Sequence, residues 1–336
     1  MKRTRPDIGP HMGRLRSWFE YVPIRAIQLV LRLLSRRTAL RLGRWIGFAA
    51  YLLDARHRRV ALQNLADSLP GLRTAKDRRR VARRCFEHFG AVGVECLLLP
   101  YRRPEEADGL AVWEGLDHLR KAHLKGHGVF VTSGHLGNWE MVALMQGWRG
   151  IPMSMVTRPL DNPLLEEMLA RGRTMSGNEI LHKQRAVRGM LQALRARRSI
   201  ALVIDQDFPR SDRIFVDFFG RPAATAPTLG LLAVRTRAPI VPVVSELLSD
   251  GRYRIRYLAP LEWASTGDRE ADVLDIMSRC TALLEEAIRR NPEQWLWMHR
   301  RWKTRPKPGK PRRVGRDRSS WNQTDAEPSS STGTAR

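Results

Sequence analysis

In the segment SGHLGNWE, Ser133 to Glu140, a histidine stands five residues ahead of a carboxylate, with Gly134 and Gly137 close on either side. Five residues turn a helix through about 500°, which is not a same-face spacing, so His135 belongs before a helix and Glu140 inside its first turn. Asn138 suits the cap between them. From the first turn the Glu140 carboxylate is expected to reach back to the imidazole and hold one ring nitrogen protonated. The other nitrogen is then free to take a proton from an attacking hydroxyl, the task of a general base. The spacing alone is more often met by a satisfied structural histidine, and the flanking elements have to decide between the two.

Those elements are of the right kind. GHGVFVTSG, Gly126 to Gly134, is a short apolar run bounded by glycines and predicts a buried strand ending in a turn, with a helix following to about Gly147. Further strands are predicted at Met153 to Thr157, Ser199 to Asp205, PIVPVVSEL and RYRIRYL. They alternate with helical segments at PLLEEMLARGRTM, AVRGMLQALRARR and TAPTLGLLAVRTRA, and with a long helix from about Gly267 to Arg290. Such alternation predicts an α/β fold, a mixed sheet layered by helices, with reactive groups at strand ends. Residues 56 to about 102 read as helical, broken at Pro70 and Pro100.

The chain divides into residues 1–55, basic amphipathic helices; 56–303, the α/β domain; and 304–336, a disordered tail that is first basic and then Ser/Thr-rich. In IRAIQLVLRLL the polar stripe Arg25, Gln28 and Arg32 runs along an otherwise apolar helix, and LGRWIGFAAYLLDA follows it. Arg36, Arg37, Arg41 and Arg44 interrupt any uncharged span, so an in-plane membrane anchor is expected rather than a spanning helix, with a plain core-capping role as the alternative. The basic N-terminus has neither an h-region nor a small-residue cleavage site, which argues against a cleaved signal peptide. Widely spaced Cys85, Cys96 and Cys280 suggest a reduced, cytosol-facing location.

A net charge of +25, from 59 Lys and Arg against 34 Asp and Glu, points to nucleic acid, anionic lipid or an acidic carrier as partners. Nucleic acid is disfavoured because no zinc-finger spacing and no RNA-binding aromatic signature occurs. Serine hydrolysis lacks its G-x-S-x-G elbow and zinc chemistry its H-E-x-x-H, and no metal or other cofactor is expected.

With SGHLGNWE go TRPLDNPLLEEM, DQDFPR, VDFFGRPAATAPTLGLLAVRTRAPIVPV and NPEQWLWMHRRWKTRP, and together these blocks resemble the lipid A biosynthesis acyltransferases, the lauroyl and myristoyl transferases of the wider H-x4-D/E glycerolipid acyltransferase group. The resemblance spans roughly residues 20 to 305. It implies O-acyl transfer during lipopolysaccharide (glycolipid) synthesis at the cytoplasmic face of the inner membrane. The acyl group would pass from the thioester of an acyl carrier protein, or of CoA, to a hydroxyl of a lipid A precursor. Another glycolipid or phospholipid acceptor, or a non-catalytic membrane-binding paralogue, stands as the alternative, although His135 and the acid are both present.

On that basis His135 is the base, Glu140 orients it, and Arg158 is the candidate oxyanion donor, a structural or phosphate-binding arginine being the other possibility. Asp205 either organises Arg158 or the acceptor's polar head, or caps a turn. Phe218 and Phe219 either border the acyl channel or belong to the core. Asn138, Arg300 and Arg301 join the substrate-binding candidates. Trp295, Trp297, Trp302 and the neighbouring cations suit a membrane-interface belt or simple helix packing.

Overall fold

Four apolar runs, β2 (Val129–Ser133), β3 (Met153–Thr157), β5 (Ser199–Val203) and β8 (Ile240–Leu247), build the middle of a seven-stranded sheet in this computed structural model, which describes residues 10–182 and 186–306. With β1 (Ala111–Glu114), β4 (Glu179–His182) and β9 (Tyr253–Tyr257) the order is β1-β9-β8-β2-β5-β3-β4. From β8 to β4 every neighbouring pair is parallel; β9 runs antiparallel to β8, and β1 is parallel to β9. The fold is therefore mixed α/β.

Strand alternation divides the core between the two faces. Val129 and Val131 pack with α6 (Leu116–Leu124), α7 (Trp139–Trp148) and the β9 residues Tyr253, Ile255 and Tyr257. Phe130, Ile200 and Ile240 pack on the other face with α9 (Ala186–Arg195), α10 (Thr228–Thr236) and α11 (Arg269–Arg290). Both faces of the central strands are covered, which is why they read as continuous apolar runs. A separate antiparallel hairpin, β6 (Ile214–Phe218) with β7 (Arg221–Thr225), turns at Phe219 and Gly220, both at positive φ. No strand was expected at β1, β4, β6 or β7. The polar residues and the proline within them conceal the pattern.

At the N-terminal end α1 (Pro10–Arg32) and α2 (Arg36–Leu53) precede α3 (Ala55–Ser68) and α4 (Ala75–Leu98). The backbones of α2 and α4 meet closely: a Cβ on Gly90 would lie 2.1 Å from the Gly43 carbonyl oxygen and 2.7 Å from the Gly47 nitrogen. The Arg25, Gln28, Arg32 stripe does not face outward as a unit. Gln28 is fully buried, donating to the Leu97 carbonyl, and Arg25 hydrogen-bonds Gln28 and the Tyr101 hydroxyl. The apolar residues Leu15, Trp18, Phe19, Val22, Leu29 and Val30 are exposed instead, as are Leu42, Trp45, Ile46, Leu52 and Leu53 of α2. Each set falls on one helical face by its spacing. No helix among the described residues is long and apolar enough to cross a membrane. The expected tail lies, beyond residue 306, outside the described residues.

Candidate active site

Parallel pairing of β2 with β5 sets the site. Its register matches Val129 with Ser199 and continues to Ser133 with Val203; two residues further along each chain, His135 stands opposite Asp205. The imidazole Nδ1 lies 2.7 Å from Asp205 Oδ1, and the His135 backbone N–H donates to Oδ2 at 2.7 Å. The same Oδ2 accepts the Trp295 indole N–H at 2.8 Å, so the carboxylate, only 3% exposed, accepts three hydrogen bonds. An ionised Asp205 assigns the Nδ1–H tautomer and leaves the Nε2 lone pair pointing away from it. The exposed Gln206 amide lies 3.3 Å from Nε2, with Gln206 Nε2 as the donor to that lone pair.

The turn holding His135 is pinned from several sides. Leu136 bridges to Trp295, the Leu296 N–H donates to the His135 carbonyl at 3.2 Å, and Gly137 N–H donates to the Gln294 carbonyl at 3.0 Å. Gly137 has φ +63, and a Cβ there would meet the Ser245 carbonyl oxygen at 2.2 Å, so glycine is needed both for conformation and for room. At Gly134 a Cβ would sit 2.8 Å from Asp205 Oδ2, too close to the carboxylate that holds the histidine. Asn138 caps α7 through its side-chain oxygen to Met141 N–H, while its amide donates to buried Glu95 and to Tyr253. Trp139 packs its ring edge to face with His135 at 4.6 Å between centroids.

The expected contact between His135 and Glu140 is not made. Glu140 is clasped by Arg173 of α8 (Pro163–Thr174), with Nε and Nη2 at 2.9 and 2.6 Å from its two oxygens. A guanidinium fork satisfies both carboxylate oxygens at once, whereas the strand register delivers Asp205 directly to the imidazole. Asp205 therefore neither organises Arg158 nor merely caps a turn. Arg158, just beyond β3, is 79% exposed along its side chain, with Asp161 3.9 Å away. Because β5 lies between β2 and β3, Arg158 starts roughly 10 Å from the His135 strand at the same C-terminal edge of the sheet.

Phe218 and Phe219 are buried among Trp295, Trp297 and Trp302 rather than bordering a channel, and these indoles are core rather than an interface belt. The cluster braces Trp295, and through it Asp205. Arg301 has no exposure and donates to the Gln206 and Ala224 carbonyls and to Thr225, tying the Asp205 loop to the hairpin; Arg300 is exposed. Sequence reasoning missed Trp295 and Gln206 as partners of the pair. His299, grouped by the sequence with the aromatic and basic cluster at Trp295 to Trp302, instead accepts the Asp207 N–H on its Nε2 at 2.9 Å just past Asp205. The signal was the register of the two apolar strands, which points to position 205.

Electrostatics agree with the geometry. Burial alone pushes the His135 pKa down, but the Asp205 charge and hydrogen bond, helped by the Glu140 charge, raise it above the ordinary histidine value. For Asp205 burial acts upward, and is outweighed by His135 and the Trp295 indole, so its pKa falls to about 2. Burial pushes the His299 imidazole down, toward the neutral form.

Residues 6–304 match the family described as bacterial lipid A biosynthesis acyltransferase. The lipid A biosynthesis lauroyltransferase of Escherichia coli (strain K12) is 28% identical over 90% of this chain and 96% of its own length. The palmitoleoyltransferase of the same strain is 28% identical over 79% of this chain and 85% of its own, and the myristoyltransferase 26% identical over 80% of each. Three relatives named for different acyl chains thus resemble this one almost equally.

Proposed function

The chain belongs to the bacterial lipid A biosynthesis acyltransferase family, and from that premise we propose that His135 is the general base of its O-acyl transfer, held by Asp205. The observation that carries the proposal is the Nδ1 hydrogen bond to a buried carboxylate, which leaves Nε2 as the basic nitrogen at the sheet's C-terminal edge. A lipid hydroxyl gives its proton to Nε2 as its oxygen attacks the thioester carbonyl of an acyl carrier protein donor, forming the new C–O bond. The tetrahedral intermediate collapses by breaking the C–S bond, and the imidazolium returns the proton to the departing thiolate. The base ends as it began. No acyl-enzyme is required.

Glu140 acts through its charge and by anchoring α7 to α8 through Arg173, not by contact with the base. Arg158, exposed at the same edge, is the cation available to the developing oxyanion or to an acceptor phosphate. The acceptor is a lipid A precursor. The exposed apolar faces of α1 and α2 lie in the plane of the inner membrane at its cytoplasmic side, where a basic chain meets anionic lipid.

His135→Ala should retain the fold and lose about 10²- to 10⁴-fold in turnover, the usual contribution of a positioned base. The measurement is acyl transfer from acyl carrier protein to a lipid A precursor in detergent by the purified protein, with circular dichroism as the control for folding. Wild-type turnover by pure His135→Ala would end the assignment.

A further inference from the structure

Where the ends of α1 and α4 meet the start of α2, an open cavity of about 220 Å³ is lined by Arg32, Arg36 and Arg102, together with Tyr101, Leu31 and Leu34. One water needs only roughly 10–15 Å³ of such space, so the cavity admits a polyatomic ion. Its cations are held in place but only partly neutralised. The Arg32 guanidinium stacks 4.0 Å over the Tyr101 ring and has no ion pair among the described residues. Arg102 Nη1 donates to Glu106 at 3.0 Å, while its Nε and Nη2 are enclosed without a hydrogen-bond partner among the described residues. Arg36 is already engaged, with Nε donating to Glu95 at 2.8 Å, Nη2 2.6 Å from the same carboxylate and Nη1 donating to the Gly251 carbonyl, so the spare donors are those of Arg32 and Arg102. Arg25, outside the lining, hydrogen-bonds the Tyr101 hydroxyl. Three guanidiniums, those of Arg32, Arg36 and Arg102, thus line the cavity, with the carboxylates of Glu95 and Glu106 as their partners.

Fixed planar guanidiniums with donors to spare are the groups that grip a tetrahedral oxyanion. The position of the cavity points to where that oxyanion comes from. Arg32 at the end of α1 and Arg36 at the start of α2 line the cavity, and Leu33 between them is exposed, so the cavity lies at the junction of the two helices that carry the exposed apolar faces. We infer that this cavity is a phosphate-binding site for a phosphate-bearing lipid headgroup at the membrane surface, separate from the His135–Asp205 pair. The choice of a lipid over free phosphate rests on the membrane-facing role proposed above; the phosphate chemistry rests on the cavity alone.

The test is a binding experiment and does not depend on acyl transfer. Full-length protein is sedimented with phosphatidylcholine vesicles containing phosphatidic acid, or phosphatidylglycerol at matched surface charge, and titrated separately with inorganic phosphate by calorimetry. The variants are Arg32→Gln, which is exposed and breaks no ion pair, and the double variant with Arg102→Gln; Arg188→Gln on α9 removes the same charge elsewhere. Arg36 is left intact because Glu95, its partner, also holds Asn138 beneath the His135 turn. The wild type should prefer phosphatidic acid over the charge-matched lipid. Arg32→Gln should weaken that binding about five-fold, as one basic residue at an anionic surface does, and the double variant should abolish the preference. Arg188→Gln should keep it. Saturable binding of inorganic phosphate, lost in Arg32→Gln without any vesicle preference, supports the site with free phosphate as its occupant. Equal losses in Arg32→Gln and Arg188→Gln, or neither lipid preference nor phosphate binding by the wild type, would overturn the inference.

Discussion

At the scale of single residues, a base is useful only when unprotonated, and Asp205 acts on that condition in two opposing ways. It fixes the tautomer that makes Nε2 the basic nitrogen, yet its charge raises the His135 pKa above the ordinary histidine value and so delays the appearance of the neutral ring as pH rises. The rate should therefore climb with pH through a limb lying above that value. Asp205→Asn removes the charge while burial, which pushes the other way, remains. The limb should then move to lower pH, while the plateau falls because the ring loses its orienting acceptor. Initial rates across pH decide this, and an unmoved limb would detach Asp205 from the base. Glu140→Gln should shift the limb less, since its charge acts at a distance. Its main effect should be on stability, a loss of about 1–3 kcal/mol in urea unfolding, because the half-buried Arg173 is left without its carboxylate. Arg158→Lys separates its two possible duties. A fall in kcat with steady acceptor KM marks an interaction made in the transition state, whereas a rise in KM alone assigns the residue to acceptor binding and removes it from the oxyanion.

Secondary-structure elements explain what could and could not be read from the chain. Short apolar runs marked β2, β3, β5 and β8 well, because parallel strands covered on both faces leave a continuous signature. Residues such as Arg221 and Pro222 of β7 and Glu114 of β1 sit on short, partly exposed strands whose pattern is diluted, and these strands were missed. The site was half legible for a related reason. His135 was visible from its own turn, but its partner is 70 positions away and becomes a neighbour only through a strand register, while Glu140 was near in sequence and turned toward another helix. Close backbone approach between α2 and α4 was equally hidden in Gly43, Gly47 and Gly90, which carry no periodic signal. Gly90→Ala forces a methyl group onto the α2 backbone, where no flexible side chain can yield. It should destabilise the protein by about 1–3 kcal/mol, the usual cost of overpacking, as measured by denaturant unfolding. A neutral substitution would mean that α2 shifts freely on α4.

Across the whole molecule, polarity is inverted in the first two helices. Gln28 is buried while Phe19 and Trp45 are 78% and 68% exposed, and Arg25 and Gln28 of α1 are spent on hydrogen bonds to α4 and the turn after it. Water gives no reason for that arrangement, since contiguous apolar patches of this kind mark a surface that meets lipid or another protein. Lying in the membrane plane would bury both stripes at once and bring the positive charge of the chain against anionic headgroups. Phe19→Ser and Trp45→Ser remove apolar area without touching the interior, so unfolding should be unaffected and turnover in detergent preserved. Large side chains yield about 1.5–3 kcal/mol each on leaving water, so each substitution should lower vesicle partitioning about ten-fold or more. Because that loss is apolar, it should persist at high salt, where the electrostatic part of the attraction is screened. Partitioning unchanged by both substitutions would mean that these faces do not meet the bilayer, and that the basic surface alone carries the protein there.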